Sequence, residues 1–316
     1  MNDTTLIPQT PAPTEQPTEQ VPLDKKAQKA LKKRFKKEGR RVKSIPAMAG
    51  VSPYIMVERN DASNMISDTL CIDKINKYIK EKQAQGMTHF TLMHYLIAAY
   101  TRVVSQRPAI NRFIRGQKIF TRDHIEVCLT IKKEMTLEAP DTVVKFFLTP
   151  DASAKDVYEE LNKVIEDYRN APGGDFDDTA KIVNYIPGLL KKFFIWMLKL
   201  LDYFGLLPRF LTKLSPFHGS LFITSMGSLG IPPIFHHLYN FGNCPIFLSF
   251  GAKYRENKIN DEGQLERHSY VDFTIVMDER ICDGFYFASA LKMLKSIARN
   301  PWQLDEKPEE VIPDVK

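Results

Sequence analysis

The chain of 316 residues contains only four cysteines, and none of them forms a C-x-x-C pair. Cys71, Cys128, Cys244 and Cys282 are so widely separated that the sequence predicts neither a zinc site nor a disulfide framework. We therefore expect no metal, and we expect free thiols in a reducing cytoplasm. The N-terminus lacks a basic start followed by an apolar run, which argues against a signal peptide.

The chain also lacks an apolar run long enough to cross a bilayer, which takes about 20 mainly apolar residues. Its most hydrophobic segment, 186–214, is interrupted by several charged side chains. We predict two helices there, separated near 205–208, that pack on the protein's own fold or on another subunit. A position in the plane of a membrane surface is the alternative.

Net charge is absent from most of the chain. The formal net charge is +6, but residues 24–43 carry eleven Lys or Arg against two acids, and 44–316 contains as many bases as acids. Residues 1–23 hold five prolines and five threonines with few apolar groups. Such a composition cannot bury enough surface to fold, so we predict a disordered tail at 1–23.

Residues 24–44 are predicted to form a basic helical arm, with a helix from Asp24 to about Glu38. An acidic partner or an anionic membrane surface fits its charge. The alternative is a solvated helix that docks on the domain through Leu31 and Phe35. The arm has few aromatic residues and no recognised nucleic-acid motif, which argues against nucleic acid as a partner.

From residue 45 the hydrophobic periodicity alternates between strand and helix patterns, which predicts a mixed α/β layer extending to 302, followed by a C-terminal tail at 303–316. The predicted strands are 53–58, 118–121, 125–132, 143–148, 246–251 and 270–277, and 220–231 is predicted to be a strand followed by a glycine-bearing turn. The predicted helices are 72–85, 88–105, a segment from 151 or 153 to 169, and 285–294.

The residues 278–284, DERICDG, follow the last predicted strand and precede the last predicted helix. Three acids fall within six positions there, and Gly284 permits a backbone conformation that other residues resist. Polar clusters at such a junction are often exposed to a substrate.

This stretch resembles the D-H-R-x-x-D-G signature of the catalytic domain of the dihydrolipoyl acyltransferases of 2-oxoacid dehydrogenase complexes, whose fold is that of chloramphenicol acetyltransferase. Every fixed position matches except the family's catalytic histidine, which is Glu279 here. Other positions match the family's turns and strands in the same order: Thr224, Asn243, Pro245, Gly251, Asp278, Arg280, Asp283 and Gly284.

The resemblance implies an α/β fold of the α+β sandwich type, chloramphenicol acetyltransferase-like, with a mixed sheet and flanking helices. It also implies a homotrimer whose active sites form between subunits, with 186–214 as an elaboration. Coenzyme A or an acyl-CoA is the implied substrate. Residues 1–44 are too short for a lipoyl attachment domain, so we expect none in this chain.

In such a site the histidine takes a proton from a thiol, and the thiolate attacks an acyl thioester. The resemblance gives the base position to Glu279, the oxyanion-stabilising hydroxyl to Thr224, and a role in holding the turn to Asp283. Because free glutamate is about 2 pKa units less basic than histidine, the substitution costs a base about 3 kcal/mol toward a thiol.

Three interpretations of Glu279 remain open. The site is inactive and the protein is a binding or scaffold homologue; or Glu279 works as the base of a coenzyme A-dependent acyltransferase with an unknown acceptor; or another histidine has taken over. The histidines considered for that role are His218, His236, His237 and His268.

Overall fold

The computed structural model describes residues 35, 37–132, 141–170 and 184–316. Its strands are β1 Arg40–Arg41, β2 Ser63–Cys71, β3 Arg112–Arg115, β4 Lys118–Thr121, β5 Ile125–Lys132, β6 Asp141–Leu148, β7 Leu221–Ser225, β8 Ile246–Ile259 and β9 Leu265–Asp278. Its helices are α1 Ala47–Ile55, α2 Asp73–Ala84, α3 Leu92–Gln106, α4 Ala154–Asn170, α5 Gly188–Phe204, α6 Arg209–Leu214 and α7 Gly284–Arg299.

The larger sheet has six strands in the order β2-β9-β8-β7-β5-β6. Strand β7 runs parallel to both of its neighbours, β5 and β8, and the other pairs are antiparallel. A smaller antiparallel sheet has the order β1-β4-β3. The predicted mixed α/β architecture is therefore confirmed.

The two faces of the larger sheet are covered differently. One face packs against apolar side chains of α2, α3, α4 and α7 and forms the main core. The opposite face carries a smaller cluster in which Phe222, Phe247 and Val276 contact Leu238 of the loop between β7 and β8. Both faces are apolar near the middle of the sheet, as expected for strands that are buried on both sides.

The predicted strand at 53–58 is wrong, because the chain forms helix α1 there. Ile45, Ala49 and Pro53 point toward the body of the protein at four-residue spacing, which is helical periodicity. The β-favouring residues Tyr54 and Ile55 are exposed. Their intrinsic preference is therefore overridden by the side chains that pack.

The N-terminal arm reaches the domain at Phe35, whose ring lies 5.3 Å from that of His124 and 5.6 Å from that of Phe147. Most of the predicted arm helix, including Leu31, lies outside the described residues. Arg40–Arg41 pairs with β4 as a strand. The C-terminal residues 303–316 run along the domain, where Asp314 forms an ion pair with Arg112 at 2.6 Å.

The segment 186–214 forms the two predicted helices, α5 and α6, and α5 ends at Gly205 with a left-handed φ of 69°. No residue of α5 is buried. Its contacts with the body include a hydrogen bond from the Tyr203 hydroxyl to Gln117 at 2.7 Å. The protein's own fold therefore leaves most of this helix uncovered. Within the described ranges, no helix is long and apolar enough to span a membrane.

Candidate active site

Glu279 directly follows the C-terminal end of β9, an interior strand of the larger sheet. Its backbone N–H donates to the carbonyl of Ala62 at 2.8 Å, and the N–H of Asp278 donates to Pro245 at 2.9 Å. The Glu279 side chain is half-buried, and its carboxylate has no hydrogen bond or ion pair with any residue that the structure describes. The backbone is thus fixed while the carboxylate is left available.

Asp278 is fully buried, and two arginines neutralise it. Arg280 binds its two carboxylate oxygens through Nε and Nη2 at 2.7 and 2.8 Å, and the Nε of Arg59 lies 3.3 Å away. Arg280 also donates through Nη1 to the carbonyls of Met56 and Val57. Arg280 therefore pairs with Asp278 and not with Glu279, so it does not neutralise the candidate base.

Asp283 is the N-cap of α7, and its Oδ1 accepts the backbone N–H of Tyr286 at 2.8 Å. The resemblance implies that Asp283 holds the turn, and this contact fixes the start of α7. Gly284 does not adopt the unusual backbone conformation that a glycine permits. Its φ is not in the left-handed region, and a Cβ would meet nothing within 4 Å, so helix α7 simply begins there.

Thr224 lies half-buried in β7, on the face of the sheet opposite the main core. It belongs to a row of hydroxyl side chains that crosses the sheet through Ser249 of β8 and Thr274 of β9. The backbone of Ile234 donates to Ser249 and accepts from Thr274, at 3.3 and 2.6 Å. Among the described residues, the Thr224 hydroxyl has no hydrogen-bond partner and is free to donate.

Thr224 and Glu279 do not meet within one chain. Thr224 is in register with Thr274 two strands away, and Glu279 lies five residues farther along. At strand spacings this is about 10 Å across the sheet and about 17 Å along it, or roughly 19 Å in all. A site that uses both residues therefore requires a second subunit.

Each alternative histidine has a defined place. His218 is buried between Ser215 and Asp202, its ring nitrogens 2.8 and 3.2 Å from their oxygens. His237 is exposed beside Tyr239. His218 is therefore held in the structure by its partners, and His237 is a surface residue.

His236 stacks on Phe247, with ring centroids 4.0 Å apart. Phe247 is in register with Phe222, two residues before Thr224, so His236 lies on the same face of the sheet as Thr224. Burial lowers the pKa of His236. It is the histidine that the fold brings to the Thr224 face.

His268 lies toward the far end of β9, ten residues before Asp278. Its Nδ1 is 2.8 Å from Asp73, and ligand atoms of Cys71, Asp73 and His268 all lie within 4.8 Å of one another. These residue types ligate divalent metals. The group is distant from Glu279, and the cysteine spacing did not reveal it because its members come from separate elements.

A buried ionic cluster, which the sequence did not predict, is centred on β5, the strand next to the Thr224 strand. Glu126 of β5 is completely buried and contacts Arg209 of α6, His124 at 2.7 Å and Lys145 at 3.6 Å. Burial opposes ionisation of Glu126, but the hydrogen bond from His124 and the nearby positive charges outweigh it and hold its pKa well below its usual range. The cluster connects β5, β6 and α6.

An open groove of about 460 Å³ lies between the end of β5 and helices α3 and α4. Leu129 is in register with Ile223, and both side chains belong to the main core. The groove is therefore near the same end of the sheet as Thr224 but on the opposite face. Its volume is in the range of small-molecule sites. Residues that line it include Thr91, His94, Leu129, Thr130, Asn162 and Arg169.

His94, in this groove, is neutral at physiological pH. Its Nδ1 accepts the backbone N–H of Thr91 at 3.1 Å in a capping box, and burial lowers its pKa to about 4. Unfolded histidine titrates near 6.5, so its contribution to stability is complete above about pH 6.5 and is lost as the pH falls toward 4.

We expect wild type to lose about 3 kcal/mol more unfolding free energy than His94→Gln between pH 6.5 and 4, because glutamine keeps the cap but does not titrate. Urea unfolding at a series of pH values measures the difference. His237→Asn, which removes an exposed histidine, is the control and should follow wild type. Parallel pH profiles for wild type and His94→Gln would contradict this assignment.

No family model and no curated protein matches the chain, but solved structures share its fold. A probable dihydrolipoamide acetyltransferase from Listeria monocytogenes is 14% identical over 93% of this chain and 98% of its own, with a TM-score of 0.54. The dihydrolipoamide acetyltransferase of Azotobacter vinelandii is 12% identical over 94% and 99%, also at 0.54. The cubic core of a pyruvate dehydrogenase multienzyme complex is 12% identical over 83% and 93%, at 0.53. The acyltransferase fold predicted from the signature is therefore confirmed.

Proposed function

We propose that the protein is a coenzyme A-dependent acyltransferase that moves an acyl group between coenzyme A and an acceptor thiol at a site shared by two subunits of a homotrimer. The main support for this proposal is that Glu279, at the position of the resembled family's base, has an unpaired carboxylate on a fixed backbone. Free thiols fit a cytoplasmic enzyme; all four cysteines are unbridged.

The Azotobacter vinelandii enzyme supports this placement. Its structure concerns the catalytic roles of a serine, a histidine and an asparagine, of which the histidine and asparagine are four positions apart. Glu279 and Asp283 have the same spacing. The serine precedes that histidine by 52 positions, and Thr224 precedes Glu279 by a similar interval. The three candidate residues thus have the order and approximate spacing of a catalytic set on the same fold.

The proposed reaction begins when the Glu279 carboxylate accepts the proton of the attacking thiol. The thiolate forms a new C–S bond to the thioester carbonyl, and the Thr224 hydroxyl of the neighbouring subunit donates to the resulting oxyanion. The oxyanion then collapses and the original C–S bond breaks. The leaving thiolate takes the proton from Glu279, so protons balance over the cycle.

Two features of the chain favour this division of roles. Within one subunit, the roughly 19 Å between the two residues prevents them from acting on one carbonyl. The free Thr224 hydroxyl is the member of its row that Ile234 leaves unpaired.

Removing the Thr224 hydroxyl tests the oxyanion role. We expect Thr224→Val to lower kcat about 100- to 1000-fold, as loss of one oxyanion donor does, with little change in KM. Thr224→Ser keeps the hydroxyl and should retain most activity. The readout is thiol release from acetyl coenzyme A in the presence of a dithiol acceptor. Loss of activity in Ser225→Ala, with Thr224→Val still active, would contradict the assignment.

A second candidate is a scaffold protein that keeps the fold without turnover. The ion pair between Asp278 and Arg280 and the Asp283 cap favour it, because both contacts stabilise the turn whether or not chemistry occurs. Absence of acetyl coenzyme A turnover in the native protein would support it over the enzyme.

A further inference from the structure

Helices α5 and α6 carry many exposed large apolar side chains. Leu189, Phe193, Trp196, Leu200 and Phe204 of α5 are all exposed, Leu189 by 86% of its surface. Their spacing of four, three, four and four residues puts them on one side of the helix. Phe210 and Leu214 of α6 are also exposed. These seven residues are termed the apolar strip.

Positive charge borders the apolar strip. Lys192 and Lys199 are exposed and seven residues apart, so they form a row beside the strip on the same helix. Trp196 lies between the two lysines in the sequence. A helix with an apolar face that bears aromatic side chains and an adjacent lysine row has the composition of helices that lie in the headgroup region of a bilayer.

The basic arm joins the domain beside this surface. Arg209, the first residue of α6, donates through Nε to the carbonyl of Phe35 at 3.4 Å, and the Nζ of Lys213 lies 5.5 Å from the ring of Phe147, which Phe35 also contacts. Residues 24–34, which immediately precede Phe35 in the sequence, carry six Lys or Arg against one acid, a net charge of +5. This basic segment therefore directly precedes, in the sequence, the residue that contacts α6.

We infer that the apolar strip lies in the surface of an anionic membrane, with Lys192 and Lys199 contacting lipid phosphates. The helices are too short and too interrupted to span, so attachment is peripheral. Apolar burial and attraction to anionic lipid act together here, because both come from the same edge of the protein. The inference concerns where the protein acts, and it does not depend on whether Glu279 is a working base.

Vesicle sedimentation with the full-length protein tests the inference. We expect binding to phosphatidylcholine vesicles that contain phosphatidylglycerol, weaker binding to pure phosphatidylcholine, and a decrease with added salt. Trp196→Ser combined with Leu200→Ser should weaken binding at least about tenfold, and so should Lys192→Glu combined with Lys199→Glu. The control is Tyr54→Ser, which removes an equally exposed aromatic residue, 56% as for Trp196, on the separate helix α1.

Light scattering on the same variants shows whether the apolar strip contacts a membrane or a second copy of the chain, because only the second case changes the oligomeric state. The inference requires Trp196→Ser/Leu200→Ser to keep the oligomeric state of wild type while losing vesicle binding. Dissociation of the oligomer in that variant would assign the strip to a subunit interface and overturn the inference. Failure of wild type to bind anionic vesicles, or equal binding by the variant, would overturn it as well.

Discussion

Replacing Glu279 by glutamine should lower the rate of acyl transfer from acetyl coenzyme A about 100- to 10,000-fold, the range that general bases contribute. Glutamine has nearly the same shape but cannot accept the proton of the thiol. The Glu279 backbone is held by Ala62 and its side chain has no partner among the described residues, so the substitution removes the base without breaking a structural contact. Stability should change little.

The Glu279 experiment includes two further variants. Glu262→Gln, in the exposed turn between β8 and β9, is the matched control and should leave turnover unchanged. Glu279→His restores the base type of the resembled family and should retain or raise activity, because histidine is the more basic group. Full activity in Glu279→Gln would contradict the role of Glu279. Should activity then be lost in His236→Asn, the base would be the histidine on the Thr224 face.

Replacing Glu126 by glutamine should cost about 3 to 5 kcal/mol of unfolding free energy at pH 7, as expected when one member of a buried ion pair is removed. The variant leaves Lys145 and Arg209 near a neutral amide in a buried site. The pKa of Glu126 is depressed, so its stabilisation is present above the unfolded value of about 4.3 and is lost as the pH falls below it. The difference between wild type and variant should therefore shrink in acid.

Chemical denaturation measures this effect, and Glu159→Gln is its control. Glu159 forms an exposed ion pair with Lys155 at 3.8 Å, and exposed pairs contribute about 0 to 1 kcal/mol. A Glu126→Gln variant as stable as Glu159→Gln at pH 7 would show that the buried cluster does not stabilise the fold in this way.

The strands that the sequence predicts best are those with strong apolar alternation. Ile125–Lys132 and Lys118–Thr121 have the bounds expected from the pattern. Alternate side chains of these strands point to opposite faces of the sheet, and those on one face lie in the apolar interior. Strand β2 was missed. It is an edge strand of the larger sheet, and of its residues only Leu70 is buried, so it has almost no apolar alternation to detect.

The contacts of the candidate site also differ in how far the sequence predicts them. The Asp283 cap is a local contact, because the accepting carboxylate and the donating N–H of Tyr286 are three residues apart. The resemblance implies that Asp283 holds the turn, and N-caps of this kind have a short sequence signature. The pairing of Asp278 with Arg59, and of Glu126 with Lys145 and Arg209, joins residues from distant parts of the chain. Which charges meet is decided by strand order and helix packing, and a single sequence does not contain that information directly.

In the proposed site, Thr224 of one subunit and Glu279 of another act on the same carbonyl. In the direct test, equal amounts of the two inactive variants, Thr224→Val and Glu279→Gln, are unfolded and refolded together. Thiol release from acetyl coenzyme A is then measured. Random assembly of a trimer makes about one quarter of the shared sites wild type in both residues, so the account predicts recovery of about one quarter of wild-type activity. No recovery, with hybrid trimers verified by mass, would contradict it.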